Sequence, residues 1–187
     1  MKFSDYKIKP LENSDVDNFY TVMEKNRSRL ENFFAGTVAK TKTLDATKKF
    51  VKDIEQKIKN DEYFPFVVID INSNNIAGFI DVKNIDWNIS KAELGLFMDY
   101  DYVGKGIATK AFQLIVAFCF DYYKFHKLFL RTHPSNMGAI AVAEKCGFKK
   151  EGYLRAEYKT TTGKVVDLLY YGLLKTDLKT LNNAVQH

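Results

Sequence analysis

The apolar positions of this chain recur at two spacings, and these spacings predict the order of its elements. In LDATKKFVKDIEQKIKN, residues 44–60, Phe50, Ile54 and Ile58 stand four positions apart, which is typical of a helix with one buried face. In YFPFVVIDI, residues 63–71, apolar, β-branched and aromatic residues run together, which favours a strand.

Over the whole chain, this pattern predicts a strand, two helices, three strands, a helix, a strand, a helix and two strands. The strands fall within residues 5–15, 63–71, 76–87, 91–99, 127–133, 149–160 and 165–175, and the helices within 16–30, 44–60, 107–123 and 135–148. The three central strands indicate an antiparallel meander, and the strand–helix–strand run after them indicates one crossover. We therefore expect an α+β fold with a mixed, mostly antiparallel sheet flanked by helices.

Individual residues refine this assignment. We expect the helix from Ile107 to bury a stripe that includes Ala111, Ile115 and Tyr122. Ser135 or Asn136 suits the start of the next helix, because short polar side chains cap helix N-termini. Residues 33–43 are predicted to form a loop. With three prolines, ten glycines and no repeat, the chain has no evident linker, so one domain is expected over residues 1–187.

The composition narrows the class of protein. The chain has 46% hydrophobic and 27% charged residues, which is ordinary for a globular protein. Its net charge of +5 is spread among interspersed acids, which speaks against a nucleic-acid-binding stripe. The two cysteines, Cys119 and Cys146, lie in apolar helical patterns and are predicted to be buried. No apolar run suits a signal peptide or membrane helix, no cluster has metal-ligand spacing, and a cytoplasmic location is expected.

One short motif, Gly104-Lys105-Gly106, lies between a predicted strand and a predicted helix. It does not fit a Walker A loop, because Gly106 follows the lysine and no glycine stands five residues before Gly104. It fits a dinucleotide fingerprint poorly, because Thr109 occupies the third glycine position. Two interpretations stay open: a plain turn, and a helix N-terminus whose amides bind a pyrophosphate.

Several motifs occur together in an order that is similar to one known family. They are AELGLFMD at 92–99, YVGKGIATKA at 102–111, NMGAIAVAEKCGFKKEG at 136–152 and IDWN at 85–88. With them the chain resembles the GNAT-fold N-acetyltransferases of the RimJ/RimL type, which include ribosomal-protein alanine and serine acetyltransferases. The resemblance covers nearly the whole chain. It implies a GNAT fold with a central β-α-β crossover and acetyl-CoA as the cosubstrate, with no metal.

The resemblance also implies which residues hold acetyl-CoA. The family pattern Gln/Arg-x-x-Gly-x-Gly/Ala matches at both glycines but has Asp101 at its first position, so Asp101 is left out. The amides of the turn would cradle the pyrophosphate, with a hydroxyl from Thr109 and charge from Lys105. The turn residues implied are Val103, Gly104, Lys105, Gly106, Ile107, Ala108 and Thr109. The backbone of Leu96, Phe97 and Met98, and the side chain of Asn136, would contact the pantetheine arm.

For catalysis the resemblance implies attack of a neutral amine on the thioester. Glu93 matches the glutamate that related enzymes use as a base, although an ion-paired surface role is equally open. The N–H of Met98 or a near neighbour would hold the oxyanion. The family often has a serine at the position of Ala139, so no general acid is assigned. His133 follows a strand near the expected cleft, and we predict a structural or surface role for it.

The acceptor is the least determined part. A protein N-terminal α-amine is the first expectation, with specificity in residues 33–43 and the last two strands. A small-molecule amine, such as a polyamine, amino acid or antibiotic, is the alternative, and the net charge of +5 argues slightly against a cationic one. A non-catalytic acyl-CoA-binding regulatory domain also stays open. No nucleic acid or membrane partner is expected, and a homodimer is compatible with the family.

Overall fold

The structure is a computed structural model that describes residues 1–178; residues 179–187 of the predicted domain lie outside the described residues. The strands are β1 (Lys2–Phe3), β2 (Tyr6–Pro10), β3 (Phe64–Asp70), β4 (Ile76–Asp86), β5 (Lys91–Met98), β6 (Lys127–Thr132), β7 (Lys149–Lys159) and β8 (Val165–Leu174). The α-helices are α1 (Val16–Leu30), α2 (Ala35–Lys40), α3 (Leu44–Lys59), α4 (Ile107–Asp121) and α5 (Met137–Lys145).

The strands form one sheet in the order β1-β2-β3-β4-β5-β6-β8-β7. Every neighbouring pair is antiparallel except β5 and β6, which are parallel and joined through α4. The predicted meander of β3, β4 and β5 is confirmed, as is the mixed, mostly antiparallel sheet with its central crossover. The parallel pair is short, with three paired positions from Lys91↔Lys127 to Glu93↔Phe129.

The core lies on both faces of the sheet. Leu94 and Met98 of β5 pack in the cluster that contains the buried face of α4, whereas Phe97 packs in the cluster beneath α1 and α3. This division follows from the two-residue period of a strand, which sends neighbouring side chains to opposite faces. The strand that precedes the Gly-Lys-Gly turn is therefore held between two hydrophobic layers.

Some expectations were wrong in detail. The predicted loop at 33–43 contains a short helix, α2, whose Thr37 and Val38 are buried. Tyr122 does not belong to the buried stripe of α4, because α4 ends at Asp121 and the Tyr122 ring is 68% exposed, stacked on Phe118.

Both cysteines are buried free thiols, as predicted. Burial raises the pKa of the Cys119 thiol to about 12, as it does for Cys146, so neither is suited to act as a thiolate. Within residues 1–178, no helix is both long enough and apolar enough to span a membrane.

Candidate active site

A cavity of about 830 Å³ follows the gap between β5 and β6. At one end it is lined by Gly104 and Gly106, before α4, and at the other by residues of α1, α2 and α3. The gap exists because the parallel ladder ends at Glu93↔Phe129, so β5 continues from Leu94 without β6 as a partner. The geometry therefore joins a helix N-terminus to an open strand edge.

The turn before α4 leaves several amides free. Gly104 and Gly106 have φ of +80° and +76°, a backbone conformation that glycine adopts without strain. At the start of α4, the Lys110 amide donates to the Gly106 carbonyl at 3.2 Å. The amides of the first helical turn, before Lys110, have no intrahelical acceptor, so they suit an anion at the positive end of the helix dipole.

The other predicted turn residues differ in what they offer. The Val103 amide donates to the Tyr100 carbonyl at 3.2 Å. It is therefore not free to bind a phosphate, contrary to the expectation, although Val103 lines the cavity. Ile107 is buried in the core and contributes only backbone. The Lys105 ammonium lies 5.5 Å from the centre of the Tyr102 ring. Ala108 and Thr109 line the cavity beside the two glycines.

The excluded residue of the motif, Asp101, is bound elsewhere. Its carboxylate accepts a 2.6 Å hydrogen bond from the Lys25 ammonium, which also binds Asp99 at 2.9 Å. The acid at the start of the turn is thus partnered by α1, away from the free amides.

The ladder between β4 and β5 decides which backbone groups of β5 face the gap. The Asp99 amide donates to the Ala77 carbonyl at 2.9 Å, and in the same register Phe97 lies opposite Phe79. Hydrogen-bonded pairs alternate in an antiparallel ladder, so Phe97 bonds to β4. The expectation that its backbone is free is wrong, while the backbone groups of Leu96 and Met98 point away from β4, towards the gap.

One of these backbone groups, the Met98 carbonyl, already has a partner in Arg29. Its guanidinium donates to the Met98 carbonyl and, at 2.8 Å, to the Asn26 side-chain oxygen. The carbonyl of Met98 is thereby satisfied, and its N–H stays directed at the gap. Sequence patterns gave no signal for Arg29, because α1 is 69 positions away from Met98 in the chain.

Asn136 begins α5, as one of the two capping predictions required. Its side-chain oxygen accepts from the Ala139 amide at 3.2 Å, which leaves the NH2 group of the amide for another partner. Asn136 and Ala139 both line the cavity. His133, just before α5, also lines it, and its Nδ1 accepts from the Ser135 amide at 3.1 Å, which holds the ring in the local turn.

Glu93 is buried and accepts three hydrogen bonds from its neighbours. Arg131 of β6 binds both carboxylate oxygens, with Nε 3.1 Å from Oε1 and Nη2 2.8 Å from Oε2. Asn84 of β4 donates to Oε2 at 2.6 Å. The ion-paired arrangement that the sequence left open is therefore present, but in the interior and facing the cavity. A carboxylate with these partners is held in one orientation.

A second buried ion pair lies beside it. The Lys83 ammonium is 3.1 Å from Oδ1 of Asp81, and the Tyr63 hydroxyl donates to Asp81 Oδ2 at 3.1 Å. Burial alone would lower the pKa of Lys83, but the carboxylates of Asp81 and Glu93 hold it above its usual value. Sequence reasoning missed these residues, although two charged residues in the apolar strand β4 were a visible signal.

The two segments expected to determine specificity meet at this end of the cavity. The Ala35 amide donates to the Tyr158 hydroxyl at 2.8 Å, and the Thr161 hydroxyl donates to the Glu31 carbonyl at 3.3 Å. The β7–β8 hairpin is thus tied to the α1–α2 connection.

The site fits acetyl-CoA on its own geometry. Free amides at a helix N-terminus suit the pyrophosphate, and an unpaired strand edge suits the amide groups of the pantetheine arm. Within residues 1–178, no group of three or more histidine, cysteine or acidic residues is arranged to hold a metal ion.

Comparison with known proteins gives the same picture. The family model described as an acetyltransferase (GNAT) domain matches residues 6–149. A probable N-acetyltransferase of Bacillus subtilis, YjcK, is 28% identical over 81% of this chain and 84% of its own. The crystal structure of ribosomal-protein-S5-alanine acetyltransferase from Vibrio fischeri has a TM-score of 0.85 at 23% identity, covering 95% of this chain and 97% of that one.

A spermidine N-acetyltransferase from Vibrio cholerae, in complex with CoA and spermine, has a TM-score of 0.78 at 22% identity. It covers 94% of this chain and 98% of its own. Both structural matches carry the fold alone, and their acceptors differ. Since the family model spans most of the residues that build the sheet and the cavity, this chain belongs to the GNAT family and is an N-acetyltransferase.

Proposed function

We propose that the enzyme transfers the acetyl group of acetyl-CoA to a protein N-terminal α-amine, in the manner of RimJ/RimL-type acetyltransferases. One observation carries the acetyl transfer: the β5–β6 ladder ends at Glu93↔Phe129, and the gap beyond it connects the free amides before α4 to a buried polar cluster. A ligand in the gap would have its phosphates at one end and its reactive end at the other.

In this proposal the chain binds the cosubstrate mostly through its backbone. The amides from Gly104 to Thr109 hold the pyrophosphate, and the Thr109 hydroxyl adds one donor. The gap-facing backbone groups of Leu96, together with the NH2 group of Asn136, hold the pantetheine arm. Lys105 adds positive charge near the turn but no directed contact. The thioester supplies the acetyl group when it is bound.

The electrophile is activated by one backbone donor. The Met98 N–H points at the gap and would donate to the acetyl oxygen, where negative charge develops during attack. Arg29 donates to the Met98 carbonyl and so fixes the peptide plane between Met98 and Asp99, next to the plane of the Met98 N–H. Met98 thus acts through its amide, while its side chain stays in the core.

Glu93 is the proposed proton acceptor. An α-amine has a pKa of about 8, against about 10.4 for a lysine side chain, so an N-terminus needs less help from a base. Arg131 binds both carboxylate oxygens of Glu93 and so fixes the orientation of the proposed proton acceptor. The proton passes from the amine to Glu93 through a water molecule in the cavity.

No side chain is needed to protonate the departing thiolate. Ala139 stands where many relatives have a serine, and its side chain cannot give a proton. A thiol has a pKa of about 8.5, so the thiolate leaves without a strong acid.

The experiment that tests this function is a release assay for free thiol with a panel of amines, together with acetyl-CoA titration by calorimetry. Gly106→Glu is expected to abolish acetyl-CoA binding, because it puts a carboxylate at the pyrophosphate site. Gly163→Glu is the matched control, since Gly163 also has a positive φ, +85°, but lies outside the cavity.

Two other results would each support an alternative function. Binding without thiol release for any amine would favour a non-catalytic acyl-CoA-binding domain. Turnover of polyamines but not of peptides would favour a small-molecule acetyltransferase. Binding that is unchanged in Gly106→Glu would contradict the proposed cofactor site.

A further inference from the structure

The charges at the acceptor end of the cavity are not balanced. The two buried carboxylates there, Asp81 and Glu93, are each paired with a cation of their own, Lys83 and Arg131. The Tyr63 hydroxyl and the Asn84 amide take further lone pairs of these carboxylates. A carboxylate so occupied has little capacity to bind an additional ammonium group.

Two lysines near the rim of this end line the same cavity without such a partner. Lys40 at the end of α2 has its ammonium 5.9 Å from the centre of the Phe50 ring, and Lys57 of α3 has its ammonium 5.9 Å from the Tyr63 ring. Among the residues from 1 to 178, no carboxylate lies within 4.0 Å of either ammonium. Both side chains are thus placed over aromatic rings that face the acceptor space.

The charge of Lys57 also acts on the ammonium group of Lys40. Burial lowers the pKa of Lys40 first, the charge of Lys57 lowers it further, and Asp53 opposes them. Glu62 is the one other carboxylate that lines the cavity, and it is exposed and accepts a hydrogen bond from Asn60 at 3.1 Å. The acceptor end therefore holds an excess of positive charge near its rim.

We propose that the acceptor carries carboxylate groups, and that Lys40 and Lys57 receive them. This inference rests on the proposed function, and names its substrate class: an N-terminal α-amine followed by acidic residues within the first few positions. The amine would lie near Glu93, and the acidic side chains would extend past Tyr63 towards α2 and α3. A polyamine would instead place its remote ammonium groups against the two lysines.

Free amino acids with two carboxylates present the same chemistry as an acidic N-terminus. The two kinds of acceptor differ in length. A free amino acid whose amine lies near Glu93 has no second residue that could contact the lysines at the rim. Aspartate and glutamate therefore form one arm of the test, and peptides form the other.

The test measures thiol release with peptides of equal length that differ only at positions two to four: acidic, neutral or basic. Spermidine, aspartate and glutamate complete the panel. We expect kcat/KM for the acidic peptide to exceed that for the basic one by about tenfold or more at low salt, and the ratio to shrink as salt rises. The double variant Lys40→Glu with Lys57→Glu should lower this ratio to about one or invert it.

Lys52→Glu is the matched control, because Lys52 is exposed on α3 and does not line the cavity. It makes at one position the Lys→Glu change that the double variant makes at two, and it should keep the preference for the acidic peptide. The inference is overturned if the basic peptide or spermidine is the better acceptor in the parent enzyme. It is also overturned if the lysine double variant leaves the ratio unchanged.

A binding readout separates this inference from the proposed function. Fluorescence anisotropy of acidic and basic peptides, labelled at their C-termini, is measured on the enzyme with CoA present. Tighter binding of the acidic peptide, lost in the lysine double variant but not in Lys52→Glu, supports the charge inference even where no thiol is released. Equal binding of both peptides contradicts it, whatever the turnover.

Discussion

Arg131 binds both carboxylate oxygens of Glu93 from the neighbouring parallel strand, with Nη2 2.8 Å from Oε2 and Nε 3.1 Å from Oε1. The contact lies at the last paired position of the β5–β6 ladder, where the two strands part. It therefore serves two purposes: it compensates a buried charge, and it fixes the position of the proposed base at the mouth of the gap.

The stability of this ion pair is testable. Arg131→Leu leaves the buried Glu93 carboxylate without its cation, and we expect it to lower the free energy of unfolding by about 3 kcal/mol. The double variant with Glu93→Gln should lose much less than the sum of the two single changes, because the uncompensated charge is gone. Urea unfolding measures both.

Lys127→Leu provides the comparison on the same strand. It breaks an ion pair with Glu151 that is more exposed, and should cost less than about 1 kcal/mol. If Arg131→Leu lowers the free energy of unfolding no more than this control does, the Glu93–Arg131 pair does not compensate a buried charge as described.

The proposed base is tested by kinetics. Glu93→Gln keeps the shape of the side chain and removes its negative charge, so kcat with an N-terminal amine should fall by about 10²-fold while acetyl-CoA binding is unchanged. Glu157→Gln is the matched control, because Glu157 binds the same guanidinium at 2.6 Å from the exposed side. A rate and pH profile left intact in Glu93→Gln would remove Glu93 from the mechanism.

The orientation of the β5 backbone can be read by amide hydrogen exchange. The Phe97 amide should be protected in the free enzyme, because it bonds to β4. The amides of Leu96 and Met98 should exchange faster and become protected when acetyl-CoA is added. Protection of Phe97 that appears only with the ligand would mean that the ladder has the opposite phase.

Asn136 has two proposed roles that different substitutions separate. Asn136→Ala removes both the helix cap and the amide group, and should lower stability by about 1 kcal/mol as well as acetyl-CoA affinity. Asn136→Ser keeps a capping oxygen but loses the NH2 group, so stability should be kept while affinity falls. Equal affinity of Asn136→Ser and the parent protein would limit this residue to capping.

Asp99 predicts how stability depends on pH. Burial opposes ionisation of this carboxyl, but hydrogen bonds from Asn26 and Lys25 hold its pKa below the ordinary value of 3.8. A lowered folded-state pKa gives stability that is present above about pH 4 and is lost as the pH falls through the folded pKa. Asp99→Asn should therefore destabilise the protein more at pH 7 than at pH 3, as thermal melts at both values would measure.

An exposed carboxylate two residues away provides the comparison. Asp101→Asn removes the exposed partner of Lys25 and should have a much smaller effect at pH 7. A loss for Asp99→Asn that is the same at both pH values would mean that its charge is not what stabilises the fold.

Local patterns were sufficient for most of the sheet and for the turn. The apolar runs of β3 and the glycines at 104 and 106 act within a few residues, so their consequences can be derived from the chain alone. The Glu93–Arg131 contact joins residues 38 positions apart and depends on the register of a parallel pair, which no local pattern specifies. The phase of the β4–β5 ladder, which decides between Leu96 and Phe97, is likewise a property of two strands.

The helix α2 was not predicted because it also depends on contacts with distant parts of the chain. Its six residues, Ala35–Lys40, are too few to form a helix alone, and their helical state depends on packing against α1 and α3. Lys40 lies at its end, so the position of the proposed acidic-acceptor contact could not be inferred from the sequence.

Within residues 1–178, the two halves of the sheet are joined by three paired positions between β5 and β6. On one side lie β1 to β5, and on the other β6 to β8. A molecule bound in the gap would pair with the edge of β5 where β6 does not, and it would link the two halves beyond the end of their own ladder. The resistance of this protein to unfolding should therefore depend on its cosubstrate concentration.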